Sequence, residues 1–238
     1  MTNVMNPLIA AKRTISPDSI ATMIRNAERH LAKTDRIMKR LIAKHGHCPL
    51  AEREFEPFHM LANSIISQQL STKAAATIKQ RVGMVVGVPF QTDRVLSVSS
   101  DRLRGAGLSA AKTRYIRELA ARVCDGRLNF AELTAIDDEA VIAKLIEAPG
   151  IGRWTAEMFL LFGLKRLDVL ALGDAGLQRA AKLLYGKKRK SLTLLPRVAE
   201  AWRPYRSVAS WYLWRSLEDV PAKPPEKRWV RVVKAPMT

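Results

Sequence analysis

Along most of the chain, apolar residues recur three or four positions apart, the spacing that gathers them on one face of a helix, and strict alternation is nowhere sustained. Ile20, Ile24, Ala27 and Leu31 form the first stripe. Ser16-Pro17-Asp18 opens it, with serine suited to the cap, proline to the first turn and aspartate to the positive end of the helix. A second helical stretch covers Asp35 to Lys44 and ends near Gly46. A third runs from Glu56 to Ser67 on Phe58, Leu61, Ile65 and Ile66, and Ser71 caps a fourth that runs toward Val82. Gly83, Gly87, Pro89, Gly105 and Gly107 then break the chain into short helices joined by turns, before Ser109 caps a helix to Val123. Val141, Ile142, Leu145 and Ile146 predict a helix over Asp138 to Ala148, and helix resumes from Arg153 to Gly163. An apolar connection, Leu167 to Leu172, leads to a helix that opens at Asp174 and reaches Tyr185. The pattern predicts an all-α protein.

Three breaks in this pattern carry candidate chemistry. Between Ala148 and Arg153, Pro149 stops a helix while Gly150 and Gly152 permit a tight reversal. The first-turn N–H groups of the next helix point outward with positive partial charge, so a phosphate fits there, with Arg153 and Thr155 as added donors; an ordinary helix-to-helix turn has the same shape. Gln68 and Gln69 stand at another junction, either as a surface turn or as long uncharged side chains able to enter a stack of bases. Asp174 is either a plain N-cap, worth about 1 kcal/mol, or a carboxylate placed to stabilise a developing positive charge.

Charge narrows the partner. Forty Lys and Arg against 22 Asp and Glu leave +18 and a pI near 10.4, which points to a polyanion. No basic amphipathic stretch has a broad aromatic face, which favours nucleic acid over a membrane surface. The chain has no 18-residue apolar run, and Met1 to Ile15 reads as a flexible tail with Lys12 and Arg13 and without a cleavable leader, so a soluble, intracellular protein is expected. Cys48 and Cys124 are too few for a disulfide framework or a four-cysteine cluster. His45, His47 and Cys48 suggest a metal, but no further ligand accompanies them and the end of a helix is a common place for histidine. The charged residues Lys112, Arg114, Arg117 and Arg122 read as a solvated helix face, and Lys187-Lys188-Arg189-Lys190 as a backbone contact or solvated loop.

Together, Leu145-x-x-x-Pro-Gly-Ile-Gly-Arg-Trp-Thr-Ala156 followed by Asp174 resembles the helix-hairpin-helix DNA glycosylases, in particular the 3-methyladenine DNA glycosylase II branch. Ile65-Ile66-Ser67-Gln68-Gln69-Leu70-Ser71 with Ala74 to Ala76, and Trp202-Arg203-Pro204-Tyr205-Arg206-Ser207 through Trp214, resemble that branch's wedge-bearing helix pair and C-terminal helix. The likeness spans roughly Phe55 to Leu217, in more motifs than the non-enzymatic hairpin modules share.

It implies Asp174 as the essential aspartate, Trp154 and Trp214 as pocket aromatics with Met158 beside them, and Gly150, Gly152, Arg153 and Thr155 on a DNA phosphate. Gln68, Gln69, Leu70 and Ser71 would meet the DNA, with Gln69 or Leu70 filling the gap left by a flipped nucleotide. The carbonyls of Ile146, Ala148 and Ile151 match positions that can bind Na+ or K+; no cofactor is required and no iron–sulfur cluster is expected. Met158 and Ala175 replace tyrosines of some members, implying a less aromatic pocket, while Trp202, Trp211 and Tyr205 read as core. A Trp154 in place of the lysine of bifunctional relatives such as endonuclease III implies hydrolysis without lyase chemistry.

The expected organisation is a basic tail (1–15), a discontinuous helical lobe (16–55 with 169–220), a central lobe (56–168) holding the helix-hairpin-helix at 138–163, and a C-terminal tail (221–238), with the cleft between the lobes. The expected protein is a monomer acting on damaged double-stranded DNA, cytoplasmic in a bacterium or nuclear in a eukaryote, that removes alkylated purines. A non-catalytic DNA-binding protein and a glycosylase for deaminated or oxidised bases are the alternatives.

Overall fold

In the computed structural model, residues 17–52, 54–186 and 194–219 are described; the N-terminal tail, the Lys187–Lys190 run and the tail after Val220 lie outside them. Several helices begin where the sequence supplies an oxygen for the first turn's free N–H groups. Asp35 caps α2 (Arg36–His45) by accepting from Ile37 and Met38, Ser71 caps α4 (Thr72–Val86) by accepting from Ala74, and Ser109 caps α7 (Ala110–Cys124) by accepting from Lys112. Among the described residues there is no strand, as the spacing predicts, and no helix is long and apolar enough to cross a membrane.

The first and last helices share one assembly: α1 (Pro17–Thr34) packs on α2, and α13 (Arg206–Glu218) packs on α1, α2 and α11 (Ala175–Tyr185), with α12 (Leu194–Ala199) against α11. In the middle of the chain α3 (Pro57–Ser67) packs on α4 and α7, and α7 also covers α5 (Thr92–Ser97) and α6 (Ser100–Gly105). After the one-turn α8 (Phe130–Leu133), α9 (Asp138–Ile146) packs against α10 (Arg153–Met158) across the hairpin. One continuous set of buried side chains, from Ile24 through Leu61, Ile116 and Phe159 to Leu213, joins these groups.

Three boundaries differ from the periodicity; α4, expected to run toward Val82 with Gly83 as a break, continues through Gly83 to Val86 and ends at Gly87. The helix expected over Asp138 to Ala148 ends at Ile146, where the Ala148 N–H turns back to the Leu145 carbonyl at 3.1 Å before Pro149, which has no N–H to donate. The helix expected from Arg153 to Gly163 changes character at Phe159: residues Phe159–Gly163 widen into a π-turn, with Leu164 N–H reaching back five residues to the Phe159 carbonyl at 2.9 Å. That widened turn presents Phe162 to the rings of Phe55 and Trp214.

Candidate active site

Asp174 occupies the N-cap of α11, its Oδ1 accepting the Leu177 N–H at 2.7 Å. The same carboxylate receives two indoles: Trp154 donates from Nε1 to Oδ2 at 2.8 Å and Trp214 from Nε1 to Oδ1 at 3.0 Å. Residues 20 and 40 positions away in sequence thus converge on one carboxylate that is only 8% exposed. Its oxygens are oriented by three N–H donors, which fixes where negative charge is presented and shields it from bulk water.

Trp154 is the open member of this set, 47% exposed although its N–H is engaged. It forms one wall of a cleft of about 580 Å³ that Phe55, His59, Asn63, Gln69 and Lys79 also line. Phe55 meets Phe162 edge-on at 6.4 Å, and Phe162 stacks on Trp214 at 5.9 Å and 26°. Phe55 and Trp154 thus put aromatic rings on the cleft, which can attract cations and planar rings, while the two indoles hold the carboxylate through their N–H edges. Met158, expected beside the pocket, is buried in the core, and Ala175 is exposed at the start of α11. Besides Trp154, Phe55 lines the cleft, with Phe162 packed between it and Trp214; motif spacing singled out neither phenylalanine.

Gly176 is a third residue that sequence reasoning missed. A Cβ there would lie 3.0 Å from Asp174 Oδ1 and 3.2 Å from Trp214 Cδ1, so glycine is what lets the indole reach the carboxylate. The only signal in the sequence is its place two residues beyond Asp174.

Glu157, one turn beyond Trp154 on α10, is a further carboxylate missed from sequence; it is 7% exposed and takes a 3.2 Å bond from Arg153 Nε. Burial raises its pKa, Arg153 draws it back, and Glu139 and Asp174 push it up again. Arg153 also forks onto Glu139 of α9, so its guanidinium ties the two helices of the hairpin together.

On the cleft floor, the Phe90 N–H donates to His59 Nδ1 at 3.0 Å. That bond makes Nδ1 the acceptor and places the ring proton on Nε2, so the Asn63 amide 2.8 Å away accepts it through its oxygen, which gives that buried oxygen its only partner among the described residues. Burial holds the His59 pKa below its usual value and lowers the Lys79 amine as well.

The hairpin presents backbone rather than side chains. Gly150 has φ +88°, and a Cβ there would stand 2.6 Å from the Tyr115 ring. Gly152 opens α10 without any side-chain cap, leaving first-turn N–H groups directed outward, while the Thr155 side chain is buried behind them. Ile146 is half exposed, and Ala148 and Ile151 are buried. At the neighbouring junction Gln69 and Leu70 project from the surface, Gln69 with φ +57°, and the Ser71 hydroxyl is engaged as the cap of α4. Gln68 is half-buried, its amide donating to the Gly150 carbonyl at 2.7 Å. His45 and His47, rejected as metal ligands, face Asp219 and Glu28, and no cluster of metal-ligating side chains occurs among the described residues.

Comparison with known proteins agrees with this arrangement. The model of the HhH-GPD superfamily base excision DNA repair protein matches residues 62–204. DNA-3-methyladenine glycosylase 1 of Schizosaccharomyces pombe is 31% identical over 205 residues, 84% of this chain and 90% of the relative. The crystal structure of DNA-3-methyladenine glycosidase from Bacillus halodurans superposes with a TM-score of 0.71 at 41% identity, covering 82% of this chain and 90% of that one. The S. pombe 3-methyladenine DNA glycosylase in complex with abasic DNA also gives 0.71, at 30% identity over 81% of this chain and 97% of its own. With the family match spanning more than half its length and the hairpin, capped aspartate and aromatic cleft all in place, the chain belongs to the HhH-GPD superfamily of base excision DNA repair proteins.

Proposed function

We propose that this protein is a monofunctional DNA glycosylase that removes alkylated purines, of the 3-methyladenine and 7-methylguanine type, from double-stranded DNA as a monomer. The observation that carries the reading is the Asp174 carboxylate, held by the α11 N-terminus and two indoles beside an aromatic cleft. Extruding a base costs a few kcal/mol, offset by phosphate contacts at the hairpin, filling of the gap and stacking in the pocket. Gly150 and Gly152 bring the backbone N–H groups to a phosphate, and Gln69 with Leu70 enters the stack. Alkylation leaves the purine positively charged, so the Trp154 face gains cation–π attraction that a normal base does not offer.

The charged purine departs neutral, taking the electrons of its glycosidic bond, and the sugar becomes an oxocarbenium-like cation. Asp174 stabilises that cation electrostatically, water adds at the sugar carbon, and its proton passes to the carboxylate or to solvent. The product is an abasic site. Asp174 need not protonate the leaving group, because a base that leaves neutral is already a good one.

Trp154 offers no amine for a Schiff base. The hairpin carbonyls of Ile146, Ala148 and Ile151 are oxygen donors of the kind Na+ or K+ takes; the Ala148 carbonyl already accepts from Ile151 at 3.1 Å, leaving one lone pair for an ion that would stiffen the phosphate grip.

Release of free bases from methylated duplex DNA, resolved chromatographically for the wild type and Asp174→Asn, tests the reading. Methylpurines released by the wild type, with loss of about a hundredfold or more in the variant while DNA binding persists, are expected. A wild type that binds DNA and releases nothing would redirect the search to deaminated or oxidised bases. A covalent complex trapped by borohydride would overturn the hydrolytic assignment and single out Lys79, the amine in the cleft.

A further inference from the structure

The turn that carries Gln69 is held from behind. Lys112, half-buried on α7, donates from Nζ to the carbonyls of Ile66 and Gln68, both at 2.7 Å. These are carbonyls at the C-terminal end of α3, left without partners in their own helix, and one ammonium gathers them. Gln68 then extends its side-chain amide to the Gly150 carbonyl at 2.7 Å, joining this turn to the hairpin 82 residues away. One turn further along α7, the Tyr115 ring lies under Gly150, close enough to exclude any side chain there. A single helix thus touches both DNA-facing loops. Between its contacts, Gln69 sits at φ +57°, a conformation disfavoured for a residue with a Cβ and kept only where the surroundings over-determine it.

We infer that Lys112 is a positioning residue that, with Gln68 and Tyr115, keeps the Gln69 turn in register with the phosphate-gripping hairpin, so that gripping the backbone and filling the gap happen together. The inference rests on the glycosylase reading and on Gln69 as the gap-filling residue. Without the bracket the hairpin still binds phosphate. Gln69 relaxes from its left-handed conformation, and the flipped state loses its support.

The test is base release under single-turnover conditions, with one lesion placed in a normal pair and the same lesion placed opposite an abasic site, where there is little pairing to break. Lys112→Met keeps the aliphatic stem and removes the charge. It is expected to slow release from the paired lesion on the order of tenfold to a hundredfold, the scale of a small misplacement far from the chemistry. From the lesion opposite an abasic site the loss is expected to stay within about threefold, because extrusion there is cheap. Affinity for undamaged duplex should remain within about twofold, since that binding depends on phosphate contacts. In Gln69→Ala the added Lys112→Met change should have no further effect on the paired lesion, since the residue it positions is gone.

Equal losses on both substrates, or multiplicative losses in the double variant, would overturn the inference and leave Lys112 as a plain helix cap. If Lys112→Met does not fold, Gln68→Met cuts the tie to Gly150 without touching α7 and must show the same split between substrates. A wild type inactive on both substrates would defeat the glycosylase reading itself; an active wild type with an unaffected Lys112→Met would defeat only this one.

Discussion

Asp35 and Asp174 are built alike and do different things. Each caps a helix: Asp35 Oδ1 accepts Ile37 and Met38 N–H groups, and Asp174 Oδ1 accepts that of Leu177. Each also receives indole N–H from a distant helix, Asp35 from Trp202 at 2.9 Å with the Tyr185 hydroxyl at 2.7 Å, and Asp174 from Trp154 and Trp214. The difference lies in what covers them. Trp202 is fully buried, and burial and the Asp35 charge push the Tyr185 hydroxyl well above its usual range, so that proton stays in place. Trp154 is half exposed at the cleft. The same capped, indole-bound carboxylate is a lock when its partners are sealed in and a candidate reaction centre when one of them faces an aromatic opening.

Changing both aspartates to asparagine separates the two uses most sharply. Asp174→Asn should abolish most base release while costing under about 1 kcal/mol of stability, because asparagine still caps and Trp154, half exposed, can turn its N–H toward water. Asp35→Asn should leave base release per folded molecule unchanged and lower stability by about 2 kcal/mol, since it sets an amide against the Trp202 and Tyr185 donors, and Trp202 cannot reach solvent. Thermal unfolding beside single-turnover release reads both; equal effects at the two positions would break the comparison.

A smaller effect isolates geometry from charge. Gly176→Ala leaves Asp174 in place but puts a methyl 3.0 Å from its Oδ1 and 3.2 Å from Trp214 Cδ1. Release should fall about tenfold while stability holds or rises by up to about 1 kcal/mol, because alanine is the better helix former. A variant that loses stability and keeps its rate would show that the Trp214–Asp174 bond serves packing alone.

The smallest expected effect is a pH dependence on the open side. Burial lowers the His59 pKa, so the folded state takes up its proton less readily than the unfolded chain does. Its contribution to stability is therefore fully present above the unfolded pKa, near 6.5, and is lost as pH falls through that value toward the folded one. The melting temperature should drop as pH falls below about 6.5, and His59→Gln should flatten part of that slope. An unchanged slope would remove His59 as the source.

Short-range rules located the helices. Ser71, Ser109 and Asp174 are capping residues in sequence and capping residues in space, because a cap needs only the N–H groups two or three positions ahead; Asp35, read as the first residue of its helix, proves to be a cap as well. The same locality made the Pro149–Gly152 break and its outward-facing first turn legible. It could not tell a capping aspartate from a reacting one. Nor did it show the widened turn at Phe159, which depends on which hydrogen bond five residues back wins in a packed setting.

The sequence by itself determined an all-α chain, strongly basic, with a Gly-rich hairpin between two helices and a helix-capping aspartate 20 residues past a tryptophan, since composition, periodicity and motif spacing are properties of neighbours. Only the tertiary structure decided that Trp154 and Trp214 share that aspartate, that Phe55 lines the cleft with Phe162 packed against it while Met158 is buried, and that Lys112 braces the Gln69 turn. Each of these is a contact between segments far apart in the chain. No local propensity encodes such a contact; it exists only once packing has chosen which helices meet.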